Sequence, residues 1–281
     1  MRWLALVLCA CAPVDAPSPA DPSTQAFTGF APVALHLRGD DPIVMGIWPA
    51  QMGPPPFVPF DLSSPATAPL LNGHAGYHFD ATSGLILADP FVSEPSEAHV
   101  FAVIDADDGR VANGFPFDFG GGSSAPGWPA YLALNGRTLV TFGYAPRMDI
   151  PIPDGLEDAT VLAVAAGGAD VQRFRLDGVE VGSNTGGTLN FDMFALGTRS
   201  VGRGAYGLTA GPGIAYHGDL YEVVLIEGAL DTPQRNRIFS YLALKHGLTL
   251  ASWDLLEGPA GQLIPAEICP LQRETIGIGR D

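Results

Sequence analysis

The fold is decided by residues 216–231, which carry the sequence YHGDLYEVVLIEGALD. Residues 221–226 form a mostly apolar run, which predicts a strand that buries both faces in the centre of a β-sandwich. Asp231 then begins the helix that the sequence predicts, because its carboxylate can cap free N–H groups and Gln234 lies at the capping-box position. Gly247 is predicted to end this helix, and we expect the helix to cover one end of the sandwich.

The composition also favours a β-rich domain. The chain has 281 residues, 47% of them hydrophobic, and its 35 glycines and 26 prolines indicate many turns rather than long helices. Because 30 acidic residues stand against 14 lysines and arginines, the formal net charge is -16. Such a surface repels nucleic acid and anionic lipid headgroups, so we expect no nucleic-acid partner.

The first residues carry an export signal. Residues 3–10 form an apolar run that is too short to span a bilayer, as in the core of a signal peptide. Residues 8–11 have the sequence LCAC, which resembles the bacterial lipobox and implies that Cys11 becomes the lipidated first residue of the mature chain. An ordinary secretory signal cleaved after Ala16 or Ala20 is the alternative. We therefore expect an exported protein, anchored by lipid in the bacterial cell envelope or at the cell surface.

The rest of the chain divides by composition. After the signal at 1–11, residues 12–28 are rich in Pro, Ala, Ser and Asp and are predicted to form an extended linker. Residues 29–250 carry the β-domain. Residues 251–281 form a tail whose last residues, GIGRD, resemble a segment that leads into a further β-module in larger secreted bacterial proteins.

Two turn dipeptides predict hairpins within the β-domain. Asn-Gly at 135–136 and Asp-Gly at 177–178 are the preferred dipeptides of tight type I′ turns. The flanking segments are expected to be strands, at 131–134, 138–142, 171–176 and 179–181. Short apolar runs at 100–104 and 161–165 predict buried strands as well. Turn signals about ten residues apart are what a sandwich or barrel requires.

Four pieces of the chain, in order, resemble the laminin-G-like bacterial branch of the concanavalin A-like lectin/glucanase superfamily. They are ALHLRGD at 34–40, LNGHAGYHFD at 71–80, RLDGVEVG at 175–182 and the strand and helix at 218–247. The resemblance implies an all-β fold, a concanavalin A-like jelly-roll β-sandwich of two antiparallel sheets with one short C-terminal helix. It also implies a lectin-like module that binds a glycan or an extracellular or envelope protein.

Metal ligands are a further candidate chemistry. Calcium prefers several oxygen ligands, and by the resemblance Asp80 and Asp219 are the first candidates, since some relatives bind calcium in loops at the sandwich edge. The family often continues Phe-Asp with glycine and acidic residues, which are lacking after Asp80. His74, His78 and Asp80 share parity, so on one strand they form either a divalent-metal set or a polar, solvent-facing surface.

Catalytic carboxylates are not recognisable in the sequence. The Glu-x-Asp-x-x-Glu motif of glucanases of this wider fold is absent, and Glu222 and Glu227, five residues apart on one strand, are expected to face opposite sides. We expect Glu222 to form hydrogen bonds at the sandwich edge. Trp48 and Trp128 lie in Gly/Pro-rich segments and are the candidates for stacking on sugar rings or, equally, for fixing a loop to the sandwich.

The function expected from the sequence is therefore an exported, lipid-anchored binding module without catalytic activity. Two alternatives remain at this level. The first is a glycan-active hydrolase of the same fold whose carboxylates are not recognised. The second is a structural or accessory module without a ligand.

Overall fold

The computed structural model describes residues 27, 33–44, 47–51, 57–59, 64–80, 82–87, 97–106, 114–118, 131–135, 138–142, 148–151, 160–167, 171–185, 195–196 and 216–250. Within these residues the elements are antiparallel strands and one helix. This confirms the all-β fold class, a β-sandwich of two antiparallel sheets with a short C-terminal helix.

The larger sheet is built around the apolar run at 221–226. Its strands are β1 (Val33–Arg38), β3 (Ala66–Thr67), β4 (Tyr77–Phe79), β6 (Glu97–Ala106), β11 (Thr160–Gly167), β12 (Val171–Leu176), β13 (Val179–Thr185) and β15 (Gly218–Glu227). The order is β13-β12-β11-β6-β15-β4-β3, and β1 pairs with the second half of β15. Because β15 has a partner on each side along most of its length, it is buried on both faces, as its apolar run predicts.

The smaller sheet lies against one face of the larger one. Its strands are β2 (Phe57–Pro59), β5 (Leu85–Leu87), β7 (Gly114–Asp118), β8 (Tyr131–Asn135), β9 (Thr138–Phe142), β10 (Met148–Pro151) and β14 (Ala195–Leu196), in the order β10-β9-β8-β7-β14-β5-β2. The strands predicted around both turn dipeptides are confirmed as the pairs β8–β9 and β12–β13.

Two apolar cores hold the layers together. The first lies between the sheets and contains Leu35, Leu220 and Val223 from the larger sheet and Leu85 from the smaller one. The second lies on the opposite face of the larger sheet, under the helix, and holds side chains such as Phe239. Burying one such apolar side chain stabilises the fold by about 1.5–3 kcal/mol, so both faces of the larger sheet contribute.

The helix α1 (Thr232–His246) has the ends that the sequence predicts. The Asp231 carboxylate accepts from the Gln234 backbone N–H at 2.7 Å, and the Gln234 side chain accepts from the Asp231 N–H at 3.0 Å. Gly247 ends the helix in the left-handed conformation. The expectation that α1 covers one end of the sandwich is wrong, because its apolar face packs on the outer face of the larger sheet.

The predicted Asp-Gly turn at 177–178 has the expected geometry, and the Asn-Gly pair at 72–73 shares it. Asn72 and Gly73 have φ angles of 50° and 81°, and Asp177 and Gly178 have 48° and 89°. Both pairs thus adopt the double left-handed geometry of a type I′ turn. The Asp177 side chain also accepts a hydrogen bond from the Val161 N–H at 2.9 Å, which joins this hairpin to β11.

Phe27 lies inside the predicted linker but belongs to the folded domain. Its ring is 8% exposed and packs edge-on against His36 and Tyr241, with centroid distances of 5.2 and 5.5 Å. The linker prediction is therefore wrong at this residue. Among the described residues, no helix has the length and apolar character needed to cross a membrane.

Candidate functional site

A β-bulge in the central strand creates the polar site. Leu220 pairs with Ile104 and Glu222 pairs with the neighbouring Val103, so Tyr221 is the extra residue in β15. As a result Tyr221 and Glu222 both face α1, whereas strict alternation would place them on opposite faces. Leu220, before the bulge, points into the core between the sheets.

Glu222 is the centre of a buried hydrogen-bond network. Its carboxylate is 0% exposed and receives four donors from β1 and α1. Oε1 accepts from His36 Nε2 at 2.7 Å and from the Tyr241 hydroxyl at 2.8 Å. Oε2 accepts from Lys245 Nζ at 2.7 Å and from His246 Nε2 at 2.9 Å. One carboxylate therefore fixes the last turns of the helix to the sheet.

The network keeps Glu222 ionised although it is buried. Burial acts to raise the pKa of this carboxyl, but hydrogen bonds from His246 and His36 and the nearby charges outweigh burial and hold the pKa well below 4.5. Burial lowers the pKa of His246, so its imidazole is neutral and donates through Nε2.

The network continues to a half-exposed rim, which we define as Asp40, His74 and Lys245. Asp40 accepts from His74 Nδ1 at 2.9 Å and from the Ala75 N–H at 3.0 Å, and Lys245 Nζ lies 3.4 Å from its Oδ2. Lys245 thus bridges the buried Glu222 and the rim carboxylate. The side chains of Asp40 and His74 are each 34% exposed, so this end of the network meets solvent.

Asp219 is held by a second set of donors. It is 8% exposed, and its two oxygens contact His78 Nδ1 at 2.7 Å and the Tyr221 hydroxyl at 3.2 Å. Burial, followed by the charge of Asp219, raises the pKa of Tyr221, so this hydroxyl remains a donor. The carboxylate therefore serves the packing of β4 on β15.

Asp80 stabilises a local turn. Its Oδ1 accepts from the Thr82 N–H at 2.7 Å and from the Thr82 hydroxyl at 2.8 Å, while its N–H donates to Ser83 Oγ at 2.7 Å. This is the usual work of an aspartate in a turn. Protein donors already occupy both oxygens of Asp219 and the Oδ1 of Asp80, and this disfavours a calcium site on the two residues.

The candidate His/His/Asp metal set is not assembled on one strand. His74 contacts Asp40, His78 contacts Asp219, and Asp80 binds within its own turn. Among the described residues, no group of three or more His, Cys, Asp and Glu side chains is placed to hold a metal ion. The common parity does not place the three side chains on one strand face, because β4 contains only Tyr77–Phe79 and, of the three, includes His78 alone.

Trp48 does not have the exposed position that sugar stacking requires. It is 0% exposed, its indole N–H donates to the Arg38 carbonyl at 2.9 Å, and its ring packs edge-on against Tyr77 at 4.7 Å. The stacking prediction is therefore wrong for Trp48, and the alternative of a tryptophan that fixes a loop applies. Trp128 and the lipidation candidate Cys11 lie outside the described residues.

The two glutamates of β15 face opposite sides, as predicted. Glu222 pairs with Val103, which faces the helix, and Glu227 pairs with Ala98, which faces the core between the sheets. The expected edge position of Glu222 is wrong, because β15 is central. Sequence reasoning did not single out His36 as a partner of Glu222, since the two residues are 186 positions apart.

No protein-family model matches the chain, and a search of curated proteins likewise finds no match. Among solved structures, the chain is similar to domain 4 of AbnA, a GH43 extracellular arabinanase from Geobacillus stearothermophilus, in complex with arabinotriose. The identity is 18% and the TM-score 0.52, over 73% of this chain and 97% of that domain.

Two other similar structures are parts of larger proteins. A Trypanosoma rangeli sialidase matches at 12% identity and a TM-score of 0.53, over 78% of this chain and 36% of the sialidase. Botulinum neurotoxin type C, from a study of its interaction with two ganglioside molecules, matches at 10% identity and a TM-score of 0.51, over 74% of this chain and 50% of the toxin chain. At these identities the likeness shows the fold alone, a β-sandwich.

Proposed function

We propose that this chain is a glycan-binding β-sandwich module that acts outside the cytoplasm. The observation that carries the proposal is the similarity to the arabinanase domain, because the chain covers 97% of that domain and the domain holds arabinotriose. The toxin studied with gangliosides supports the same class of ligand. A net charge of -16 is compatible with neutral sugars, which it does not repel.

The state of the buried carboxylates supports binding rather than hydrolysis. Glycosidases need two carboxyl groups that flank the scissile bond at about 5–10 Å from each other and can reach it. Glu222 is inaccessible and accepts four hydrogen bonds, and Asp219 is held by His78 and Tyr221. Neither carboxylate is available to act as an acid or a nucleophile toward a sugar.

The half-exposed rim is the part of the network that a neutral sugar can reach. Sugar hydroxyls donate hydrogen bonds, and a carboxylate beside an imidazole whose Nδ1–H is already used offers acceptors on both groups. Asp40 and His74 form such a pair, held in place by Lys245 and the Ala75 N–H. We therefore place the neutral-sugar contact at the rim.

A glycan array tests this proposal, with the full chain carrying Cys11→Ser so that lipid does not interfere. We expect binding to neutral oligosaccharides, arabino-oligosaccharides included, without release of reducing sugar. His74→Ala should weaken binding about tenfold, the effect of losing a hydrogen bond to a polar partner. His217→Ala is the control, a histidine that is likewise partly exposed.

The array has two contradicting outcomes. Release of reducing sugar would identify a hydrolase with carboxylates elsewhere in the chain. Absence of binding across neutral and acidic glycans would favour a structural or accessory module.

We also propose that export ends with lipid attachment at Cys11, by resemblance of residues 8–11 to a lipobox. In a bacterial host, the wild-type chain should incorporate a labelled fatty acid and sediment with membranes. Cys11→Ser should abolish both properties. Equal labelling of the two chains would contradict the anchor and favour the secretory alternative.

A further inference from the structure

His246, in the last turn of α1, is buried with only one of its two ring nitrogens paired. The residue is 1% exposed, and its Nε2 donates to Glu222 Oε2 at 2.9 Å. Its Nδ1 is buried as well and has no hydrogen-bond partner among the described residues. The neutral imidazole fits this position, because Nδ1 then carries only a lone pair. Protonation would place a charged N–H there without an acceptor, which is unfavourable in a buried site.

The charged and titratable groups that face this imidazole come from every segment packed around it. They are Tyr221 and Glu222 of β15, His36 of β1, Asp40 and His74 of the two loops at the rim, and Tyr241 and Lys245 of α1. Lys245 Nζ, at 2.7 Å, already occupies the Glu222 oxygen to which His246 donates. Burial lowers the pKa of His246; the hydrogen bond and charge of Glu222 oppose this shift, whereas the charges of Lys245 and His74 reinforce it. The folded site therefore disfavours the imidazolium.

The same helix turn holds the rim in place. The Asn72 side-chain amide donates to the Lys245 carbonyl at 2.9 Å, and the His74 ring packs edge-on against the His246 ring at 5.4 Å. Asn72 and His74 belong to one tight turn that two backbone hydrogen bonds close, so they move together. Lys245 Nζ adds the contact to Asp40 at 3.4 Å. A shift of the last helical turn would therefore displace both rim residues that face the sugar.

We propose that the last turn of α1 is an acid-sensitive element: proton uptake by His246 releases this turn from the sheet and thereby weakens the binding of a neutral glycan at the rim. The inference rests on the proposed glycan-binding function and assigns a regulation to the same site. In the released turn His246 is solvated, and both of its ring nitrogens can donate to water, so the imidazolium is no longer penalised. A mildly acidic medium therefore favours release.

The direction and size of the response follow from proton linkage. The pKa of His246 is lowered in the packed turn, whereas a solvated histidine has a pKa of about 6.5. The packed turn is thus fully favoured above that pH and loses stability as the pH falls toward the lowered pKa. Each pH unit below about 6.5 shifts the equilibrium toward release by up to about tenfold. We therefore expect about a tenfold rise in release between pH 7 and pH 5.

Amide hydrogen exchange followed by NMR tests the release directly, with the full chain carrying Cys11→Ser. After correction for the intrinsic pH dependence of exchange, the opening equilibrium of the amides at 245–248 should rise about tenfold between pH 7 and pH 5. The amides of β15 report on opening of the whole domain, and their opening should rise far less. A rise at 245–248 that is no larger than the rise in β15 would overturn the inference.

Two glutamine variants separate His246 from other titrating groups. His246→Gln keeps an N–H donor for Glu222 but takes up no proton, so the rise at 245–248 should fall below about twofold. His99→Gln is the matched control, because His99 is 3% exposed on the same sheet face, and this variant should keep the full response. An equal rise in wild type and His246→Gln would overturn the inference. If His246→Gln does not fold, the ring ¹⁵N signals of wild type decide, because Nδ1 of His246 must take up its proton over the pH range in which the turn opens; uptake outside that range would refute the inference.

Calorimetric titration at pH 7 and pH 5, with a neutral oligosaccharide identified on the array, tests the link to the rim. The affinity of wild type should fall at least about twofold more than that of His246→Gln, and an equal fall in both chains would contradict the link. Glycan binding at pH 7 together with an unchanged exchange at 245–248 would refute the inference and leave the proposed function intact. Absence of glycan binding at pH 7 would refute the proposed function, while the exchange at 245–248 would still decide whether the turn responds to acid.

Discussion

Replacement of Glu222 by glutamine tests the structural role of the buried network. Glu222→Gln keeps the shape of the side chain but removes its charge and one of its two acceptor oxygens. The carboxylate receives donors from His36, Tyr241, Lys245 and His246. The amide can satisfy only part of this set, and its own N–H groups would face donors. Lys245 would then keep only the longer contact to Asp40.

The expected loss is large relative to the stability of a domain. Removing one partner of a buried ion pair costs about 3–5 kcal/mol, whereas the free energy of unfolding of a whole domain is about 5–15 kcal/mol. The pKa of Glu222 is lowered in the folded state, so its contribution is present above 4.5 and is lost as the pH falls through the folded-state pKa. The difference between wild type and variant should thus be full at neutral pH and shrink in acid.

Urea unfolding followed by circular dichroism at neutral pH measures this loss. Glu227→Gln is the matched control, because it lies on the same strand but faces the other side, and no ion pair of the described residues involves it. We expect the control to change the free energy of unfolding by less than about 0.5 kcal/mol. A loss below about 1 kcal/mol for Glu222→Gln would refute the assignment of this residue as the link between helix and sheet.

Three further predictions concern backbone packing, pH and calcium. Gly39→Ala should destabilise the domain by about 1–3 kcal/mol or more in a urea titration, because the added Cβ would overlap the Ala75 carbonyl. Gly73→Ala has open space around the added Cβ but a φ of 81°, so it should lower the free energy of unfolding by only about 1 kcal/mol. A larger loss for Gly73→Ala than for Gly39→Ala would contradict the packing around Gly39. Burial, opposed by the hydrogen bond and charge of Glu97 and reinforced by the charges of Arg235 and Arg175, lowers the pKa of His99 from 6.5 to about 4. Stability should therefore fall by about 3 kcal/mol as the pH drops from 6.5 toward 4, and His99→Gln should flatten that part of the curve; an unchanged slope would be inconsistent with the burial. Calcium at about 10 mM would stabilise the domain by about 1.4 kcal/mol and raise the Tm by about 3–6 °C if a millimolar site existed. The donors on Asp219 and Asp80 instead predict a shift below about 1 °C in differential scanning fluorimetry. A larger, saturable rise would restore the calcium site.

Features governed by neighbouring residues could be predicted from the sequence. The Asp177–Gly178 turn and the capping box of Asp231 and Gln234 depend on a few adjacent side chains, and all of them have the expected geometry. The burial of β15 was predictable for the same reason, since a run of apolar residues does not depend on the identity of its partners.

Features governed by distant segments could not be predicted. The bulge at Tyr221 breaks the alternation from which side-chain directions are inferred, and nothing in the local sequence marks it. The ionised state of Glu222 depends on His36, which reaches it through strand pairing across 186 positions. Trp48 lies in a loop-like sequence, but Tyr77 and the Arg38 carbonyl bury it. In each case the deciding neighbour comes from another part of the chain.

Binding without hydrolysis is tested most directly by recovering the sugar after a titration. A neutral oligosaccharide identified on the array is titrated into the full chain with Cys11→Ser, and the sugar is then analysed by mass spectrometry. We predict that the titration gives saturable heat, that His74→Ala weakens the binding, and that the oligosaccharide is recovered intact. Shortened products, or no heat with any array ligand, would contradict it.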